Sequence, residues 1–357
     1  MRTPNLAGRG GGLRGPIARD WGYIDLARPA GAQGPIMKIA FVSCMSFTVF
    51  AQQPVWDQIT ARQPDRLLLL GDSMYIDAPP FPNNEHPKKA LPIDFLQHVL
   101  GRWRLQLDQP QFRALVKAVP TDAIWDDHDF LWNEHTEEKA ITKKIYAEDI
   151  RITRALFNAF CRTLDARLAP GSFPAAYNDA VINQPDEPPP GYKYRSLEPL
   201  LKLHLTDGRS WRLGKDMLGA DQRSQIEARM AGAPKAVHLL ASGSVVRADS
   251  DARWTDFDDY KWLQGLARQY KILVLSGDIH ANRMSSTDLG GGRWLHDATS
   301  SGAAIRMLIG AGAACENYGL LTTDAESLRL DFFSHGTPDS VGSWAINRDD
   351  WTRTSVA

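Results

Sequence analysis

The 357-residue sequence is poor in several features that would mark its class directly. Cysteine is scarce: Cys44, Cys161 and Cys315 lie far apart, and an odd, scattered set argues against a disulfide framework. No apolar run reaches the roughly 20 residues that a membrane-spanning helix needs. The formal net charge is only −1, so no long-range field draws the chain to nucleic acid or to an anionic membrane. A small, soluble substrate is expected instead. The N-terminus carries arginines but lacks the apolar stretch of a signal peptide, which predicts a cytoplasmic protein. Oligomeric state leaves no mark on the sequence.

Residues 1–36 differ from the rest. Gly8 to Gly15 reads GRGGGLRG, but a phosphate-cradling loop needs a strand before it and a helix after it, and neither pattern is there. The composition predicts a disordered leader over 1–36. A single domain is expected over 37–357, where no linker interrupts the pattern and the hydrophobic content can fill a large core.

From Met37 onward short apolar runs alternate with helical patterns, which reads as α/β. The runs are Ile39 to Val42, Leu67 to Leu70, Ala123 to Trp125, Val237 to Leu240 and Ile272 to Leu275. Their continuous apolarity predicts strands buried on both faces. Helices are expected over Val55 to Arg62, Ile93 to Leu107 and Gln111 to Val119, the last two parted by Pro110. Glu137 to Leu168 is a long amphipathic element, and Asp221 is placed to cap a helix running to about Met230. Pro170 to Pro190 reads as a surface loop, and the runs near Leu308, Leu320 and Leu328 to Phe333 read as antiparallel strands.

The polar residues at the carboxyl end of each apolar run carry the chemistry. Ser43-Cys44 ends the first, Gly71-Asp72-Ser73-Met74-Tyr75-Ile76-Asp77 the second, Asp126-Asp127-His128-Asp129 the third, and Ser276-Gly277-Asp278-Ile279-His280 the last. Ligands in open α/β sheets bind outside the carboxyl ends of strands. Four strand ends would thus bring cysteine, aspartate, tyrosine and histidine to one rim. Those are metal-ligand types, and so many carboxylates repel without cations. Gly71 and Gly277 are expected to allow sharp turns. Asp278 and His280 are expected on one face of an extended segment, as residues two apart are in a strand.

Taken together these motifs resemble the alkaline phosphatase D (PhoD-like) metallophosphatases of the calcineurin-like phosphoesterase superfamily. Leu205 to Arg212 (LTDGRSWR), with Met217-Leu218-Gly219 and Gln222 beyond it, resembles a further family segment. The resemblance implies a four-layer α/β sandwich of two mixed sheets flanked by helices, with metals at the strand C-terminal ends. It implies that Asp72 bridges two metals, that Cys44, Tyr75 and His280 complete a ferric iron site, and that Asp127 and Asp278 bind calcium or another divalent ion. His128 would be the acid–base residue near the leaving group, and Asn133 would contact phosphate or metal. The family often has Glu near Asp77, and a Trp-Leu pair where Arg223 to Ile226 stand here.

Two metals can acidify a water and clamp a phosphoryl group for in-line attack on a phosphate mono- or diester. Arg283, Arg209 and Arg247 are candidates for meeting the developing negative charge. Two rivals stay open. Gly71-Asp72-Ser73 also begins a GDSL-type esterase motif with Ser73 as nucleophile, although the chain offers Asp-x-His where that mechanism needs Asp-x-x-His. A non-catalytic metal-binding protein is the other, and it leaves His128 without a role. Substrate choice is assigned to the loops at 78–92 and 170–192.

Overall fold

The computed structural model describes residues 37–78, 92–136, 147–175, 187–247, 253–308, 311–334 and 340–356. The expected leader over 1–36, Ile141 and Ile145 of the long amphipathic element, and much of the two loops assigned to substrate choice lie outside them.

The chain opens with β1 (Met37–Val42), α1 (Val55–Ala61), β2 (Arg66–Leu70), α2 (Pro92–Asp108), α3 (Pro110–Ala118) and β3 (Thr121–Ile124). Then come α4 (Asp127–Phe130), α5 (Ala147–Asp165), β4 (Lys193–Glu198), β5 (Leu201–Leu205), α6 (Gly219–Ala231) and β6 (Val237–Ser242). Next are α7 (Asp259–Ala267), β7 (Lys271–Ser276), β8 (Asn282–Asp288), β9 (Trp294–Ser300), β10 (Ile305–Leu308) and β11 (Ala311–Cys315). The last strands are β12 (Tyr318–Thr323), β13 (Ser327–Phe333), β14 (Gly342–Asn347) and β15 (Arg353–Val356).

Two large mixed sheets result. One runs β15-β14-β13-β12-β1-β2-β3 and the other β4-β5-β6-β7-β9-β8. In the first, β1, β2 and β3 are parallel; in the second, β5, β6, β7 and β9 are parallel with antiparallel strands at both edges. The parallel halves matter for function, because their carboxyl ends open at the same rim.

The run Leu67 to Leu70 shows how apolarity builds the layers. Side chains alternate across a strand, so Leu67 and Leu69 pack outward under α1, α2, α3 and α5, while Leu68 and Leu70 pack inward against β5, β6 and β7. Fully burying one leucine contributes about 1.5–3 kcal/mol, so continuous apolarity is selected on both faces. The far face of the second sheet packs Leu240, Ile272 and Val274 beneath α6 and α7. Helices, sheet, sheet and helices thus form the expected four-layer sandwich. Among the described residues no helix is long and apolar enough to cross a membrane.

Pro110 parts two helices as expected, and does so as a starter. It sits at the first turn of α3, where its missing N–H costs nothing, and the Gln109 side chain accepts from Phe112 N at 2.6 Å. Asp221 does not cap α6, contrary to expectation: the helix begins at Gly219, and Asp221 lies inside its first turn. The backbone N–H groups of Met217 and Leu218 are instead satisfied by Asp259 Oδ2 at 2.6 and 2.8 Å.

Candidate active site

The segments leaving β1, β2, β3 and β7 converge, and Asp72 stands at their centre. Its Oδ2 faces a sulfur and a phenol: Cys44 Sγ lies 3.3 Å away and Tyr75 Oη 3.5 Å away. Tyr75 Oη is in turn 3.0 Å from His280 Nε2. Asp72 Oδ1 faces the other way, accepting from His128 N at 3.3 Å. On that side Asp72, Asp126, Asp127 and Asp278 bring carboxylate oxygens within 4.8 Å of one another, and His128 joins Asp72 and Asp127 within the same limit. Cys44, Asp72, Tyr75, Asp127 and His128 are buried, while Asp278 and His280 are partly exposed.

Local backbone explains the convergence. Cys44, Asp72, Asp278 and His280 all have positive φ, at 60°, 50°, 76° and 51°. Neighbouring groups brace the turns: Cys44 N donates to Gly71 O at 3.3 Å, and His280 N donates to Ser301 Oγ at 2.9 Å. Asp278 and His280 therefore do not lie on one face of an extended segment. The left-handed turn sends them apart, Asp278 to the carboxylate group and His280 to Tyr75. Gly71 has φ of +97°, as expected for a sharp turn, and a Cβ there would also meet Asp126 Cβ at 2.5 Å. Gly277 is different: its φ is ordinary, and what it needs is space, since a Cβ would stand 2.5 Å from Ser43 Oγ.

Burial and crowding set the electrostatics. Burial, then the neighbouring Cys44, raises the Asp72 carboxyl well above the usual range. Asp278 is pushed up to about 7, by burial first and then by Asp127 and Asp126. Burial likewise raises the Cys44 thiol and the Tyr75 phenol. Asp127 goes the other way: Arg209, His128 and the Glu134 N–H, at 2.6 Å, together overcome burial and hold it ionised. Asp126 Oδ2 is buried with no hydrogen-bond partner among the described residues. A buried orphan oxygen inside a crowd of carboxylates is what a cation relieves, so the donor set fits a metal centre.

His128 has a partner that its own motif does not announce. Its Nδ1 lies 2.7 Å from Asp77 Oδ1, and Asn133 N donates to Asp77 Oδ2 at 3.2 Å. Burial would lower the imidazole, but Asp77, Asp72 and Asp127 outweigh it and raise it to about 10. Asp129, beside it, braces backbone: it accepts from Met74 N and Asp126 N at 3.1 Å each.

The arginines separate. Arg209 is fully buried, with Nε 2.5 Å from Asp126 Oδ1 and a terminal nitrogen 3.6 Å from Asp127 Oδ1. It therefore stands behind the carboxylates and does not line an open face. Asp207 fixes that segment by accepting from Arg209 N and Ser210 N, and from Trp125 Nε1 at 2.7 Å. Arg283 lies on the edge strand β8 opposite Thr299, where its charge bears on Asp297. Arg247 is exposed. His296 is placed away from the site, its ring between Ser286 and the Trp351 carbonyl.

The profile of the PhoD-like phosphatases matches residues 39–305, a span that holds every segment that converges on Asp72. The chain belongs to the PhoD-like phosphatase family. A solved structure of PhoD is similar to this PhoD-like phosphatase with a TM-score of 0.61 at 14% identity, over 92% of this chain and 72% of that one. A dimetal phosphatase from Danio rerio is similar with a TM-score of 0.49 at 9% identity, over 88% of this chain and 100% of that one. No curated protein matches by sequence. Membership makes the chain a phosphatase, the carboxylate group around Asp72 is one that could hold a metal ion, and the likeness to PhoD agrees with the sandwich fold.

Proposed function

We propose that this PhoD-like phosphatase hydrolyses small phosphate mono- or diesters with two cations, one on each side of Asp72. The observation that supports this most is the division of that carboxylate: Oδ2 faces Cys44 and Tyr75, with His280 beyond them, and Oδ1 shares the His128 N–H with Asp127 Oδ1. On this reading Asp72 would serve both cations. Cys44, Tyr75 and His280 hold ferric iron, for which thiolate and phenolate are suited. Asp127 and Asp278 hold calcium, or another divalent ion, with Asp126 as an additional oxygen donor beyond those the family resemblance implies. Bound there, the cations supply Lewis acidity toward a phosphoryl oxygen and a water acidic enough to attack in line at neutral pH.

The chain's own residues do the rest. His128, oriented through Nδ1 by Asp77, has Nε2 left to give a proton to the departing alcohol. Asn133, whose backbone is tied to Asp77, is assigned to the phosphate, as is Arg283. Arg209 is assigned a positioning role, holding Asp126 and Asp127.

Ser73 weighs against the serine-esterase rival. It is fully buried and its Oγ has no hydrogen-bond partner among the described residues, so none of them stands ready as a base to activate it.

The test is turnover of p-nitrophenyl phosphate and of its bis-ester by the purified protein, with chelator, with added metal, and as Ser73→Ala. Turnover should fall to background in chelator, return with metal, and survive Ser73→Ala. Ester hydrolysis that persists in chelator but disappears in Ser73→Ala would overturn the proposal. The faster ester identifies the preferred class.

A further inference from the structure

Behind the site, on α2, sits an arginine to which neither the sequence motifs nor the ligand set gives a role. Arg102 is 5% exposed, yet among the described residues its guanidinium reaches His98, Thr48 and the Tyr75 and Ala78 carbonyls. One terminal nitrogen donates to the Tyr75 carbonyl at 3.0 Å and to Thr48 Oγ1 at 2.7 Å. The other donates to the Ala78 carbonyl at 2.7 Å. Nε points at His98 Nε2 at 2.6 Å, and the same His98 nitrogen lies 3.2 Å from the Ile76 carbonyl oxygen. Burial, then the arginine itself, lowers His98 to about 4, in keeping with a neutral ring. Arg102 is lowered by burial only to about 10, with Asp77 opposing the shift, so it keeps its charge at neutral pH.

The two carbonyls bracket a turn of four residues, Tyr75 to Ala78. Two of these project into the site: Tyr75 toward Asp72 and His280, and Asp77 onto His128. The Tyr75 and His128 rings also lie close together, with centroids 4.1 Å apart. Thr48, the third acceptor, belongs to the segment leaving β1 just after Cys44. One rigid five-donor fork therefore ties the turns after β1 and β2 to a helix, which a lysine's single ammonium cannot do.

We infer that Arg102 is a positioning residue for catalysis: it sets the aim of Tyr75 at the metal centre and, through Asp77, the aim of His128 at the leaving group. The inference rests on the function proposed above and adds a residue that touches neither metal nor substrate. A side chain misplaced by about an ångström can cost roughly a hundredfold in rate, so the effect is measurable.

The experiment compares the wild type with Arg102→Lys, Asp77→Asn and the double variant. Leaving-group protonation matters little for p-nitrophenol and greatly for an alkanol. Arg102→Lys should therefore lower kcat about tenfold on an alkyl phosphate and less than about threefold on p-nitrophenyl phosphate, with KM near the wild-type value. In Asp77→Asn, adding Arg102→Lys should lower kcat little further, because groups acting in one chain are non-additive. A second readout needs no turnover: titration of the metal-free protein with Mn(II) should give a Kd at least about fivefold weaker in Arg102→Lys, as expected when a residue behind the ligands is lost. Equal loss on both esters with an additive double variant, or an unchanged Kd, would overturn the inference. If Arg102→Lys unfolds, Thr48→Val, which removes one acceptor, should show a smaller version of the same ester split, and its absence there also overturns the inference. A wild type that binds Mn(II) but turns over neither ester defeats the proposed function, and the metal titration still decides Arg102.

Discussion

Asp72→Asn should lower kcat for p-nitrophenyl phosphate by at least about a thousandfold, equivalent to about 4 kcal/mol of lost transition-state stabilisation. The amide has nearly the shape of the carboxylate, so the fold should persist. What disappears is the anionic charge shared between two groups of ligands, one around Cys44 and Tyr75 and the other around Asp127 and Asp278. Elemental analysis should show a fall in bound metal per chain together with the rate. A variant that keeps full metal content and turnover would remove Asp72 from the centre of the mechanism. A variant that keeps its metal but not its rate would instead make Asp72 a charge-stabilising group beside one ion.

Arg209→Met should have the largest effect on stability. The guanidinium is fully buried against Asp126 and Asp127, and removing one partner of a buried pair leaves an uncompensated charge at about 3–5 kcal/mol. Urea unfolding of the metal-free protein measures it. The pH dependence gives a second check. Against burial, Arg209 helps hold Asp127 below its ordinary value, so in the wild type the unfolded chain binds a proton there before the folded one does, and losing Arg209 removes that stabilisation. Its deficit relative to wild type should therefore be complete above about pH 4 and shrink as the pH falls below it. A deficit below about 1 kcal/mol and flat with pH would mean that solvent reaches these carboxylates and screens them.

Much of the fold was legible because of where it is dry. β1, β2, β6 and β7 are covered on both faces, and their continuous apolar runs announce it. β4 (KYRSLE) and β8 (NRMSSTD) are edge strands with half-exposed sides, so they carry no apolar period to announce them. The motifs that the structure gathers around Asp72 were visible because each comes directly after a legible strand. Their directions were not: Asp278 and His280 diverge because both residues are left-handed, a choice that spacing does not encode. Arg209 lies in a polar stretch that reads as exposed, yet the segment folds in behind Asp126. Asp77 and Arg102 were silent for another reason. Their partnerships, with His128 and with the Tyr75 turn, join distant stretches through packing of a helix on a strand end.

The four left-handed residues at the centre have a consequence for engineering. A saturation library over Cys44, Asp72, Asp278 and His280 would be filtered by backbone geometry before any chemistry was sampled. β-Branched side chains would be eliminated almost wholesale, and glycine, asparagine and aspartate would be over-represented among folded clones whatever they do to activity. Retuning such a centre for another metal is thus a loop-redesign problem, in which new donors arrive together with a rebuilt turn. Exchanging side chains singly on the inherited backbone will sample only a narrow corner of the available coordination chemistry.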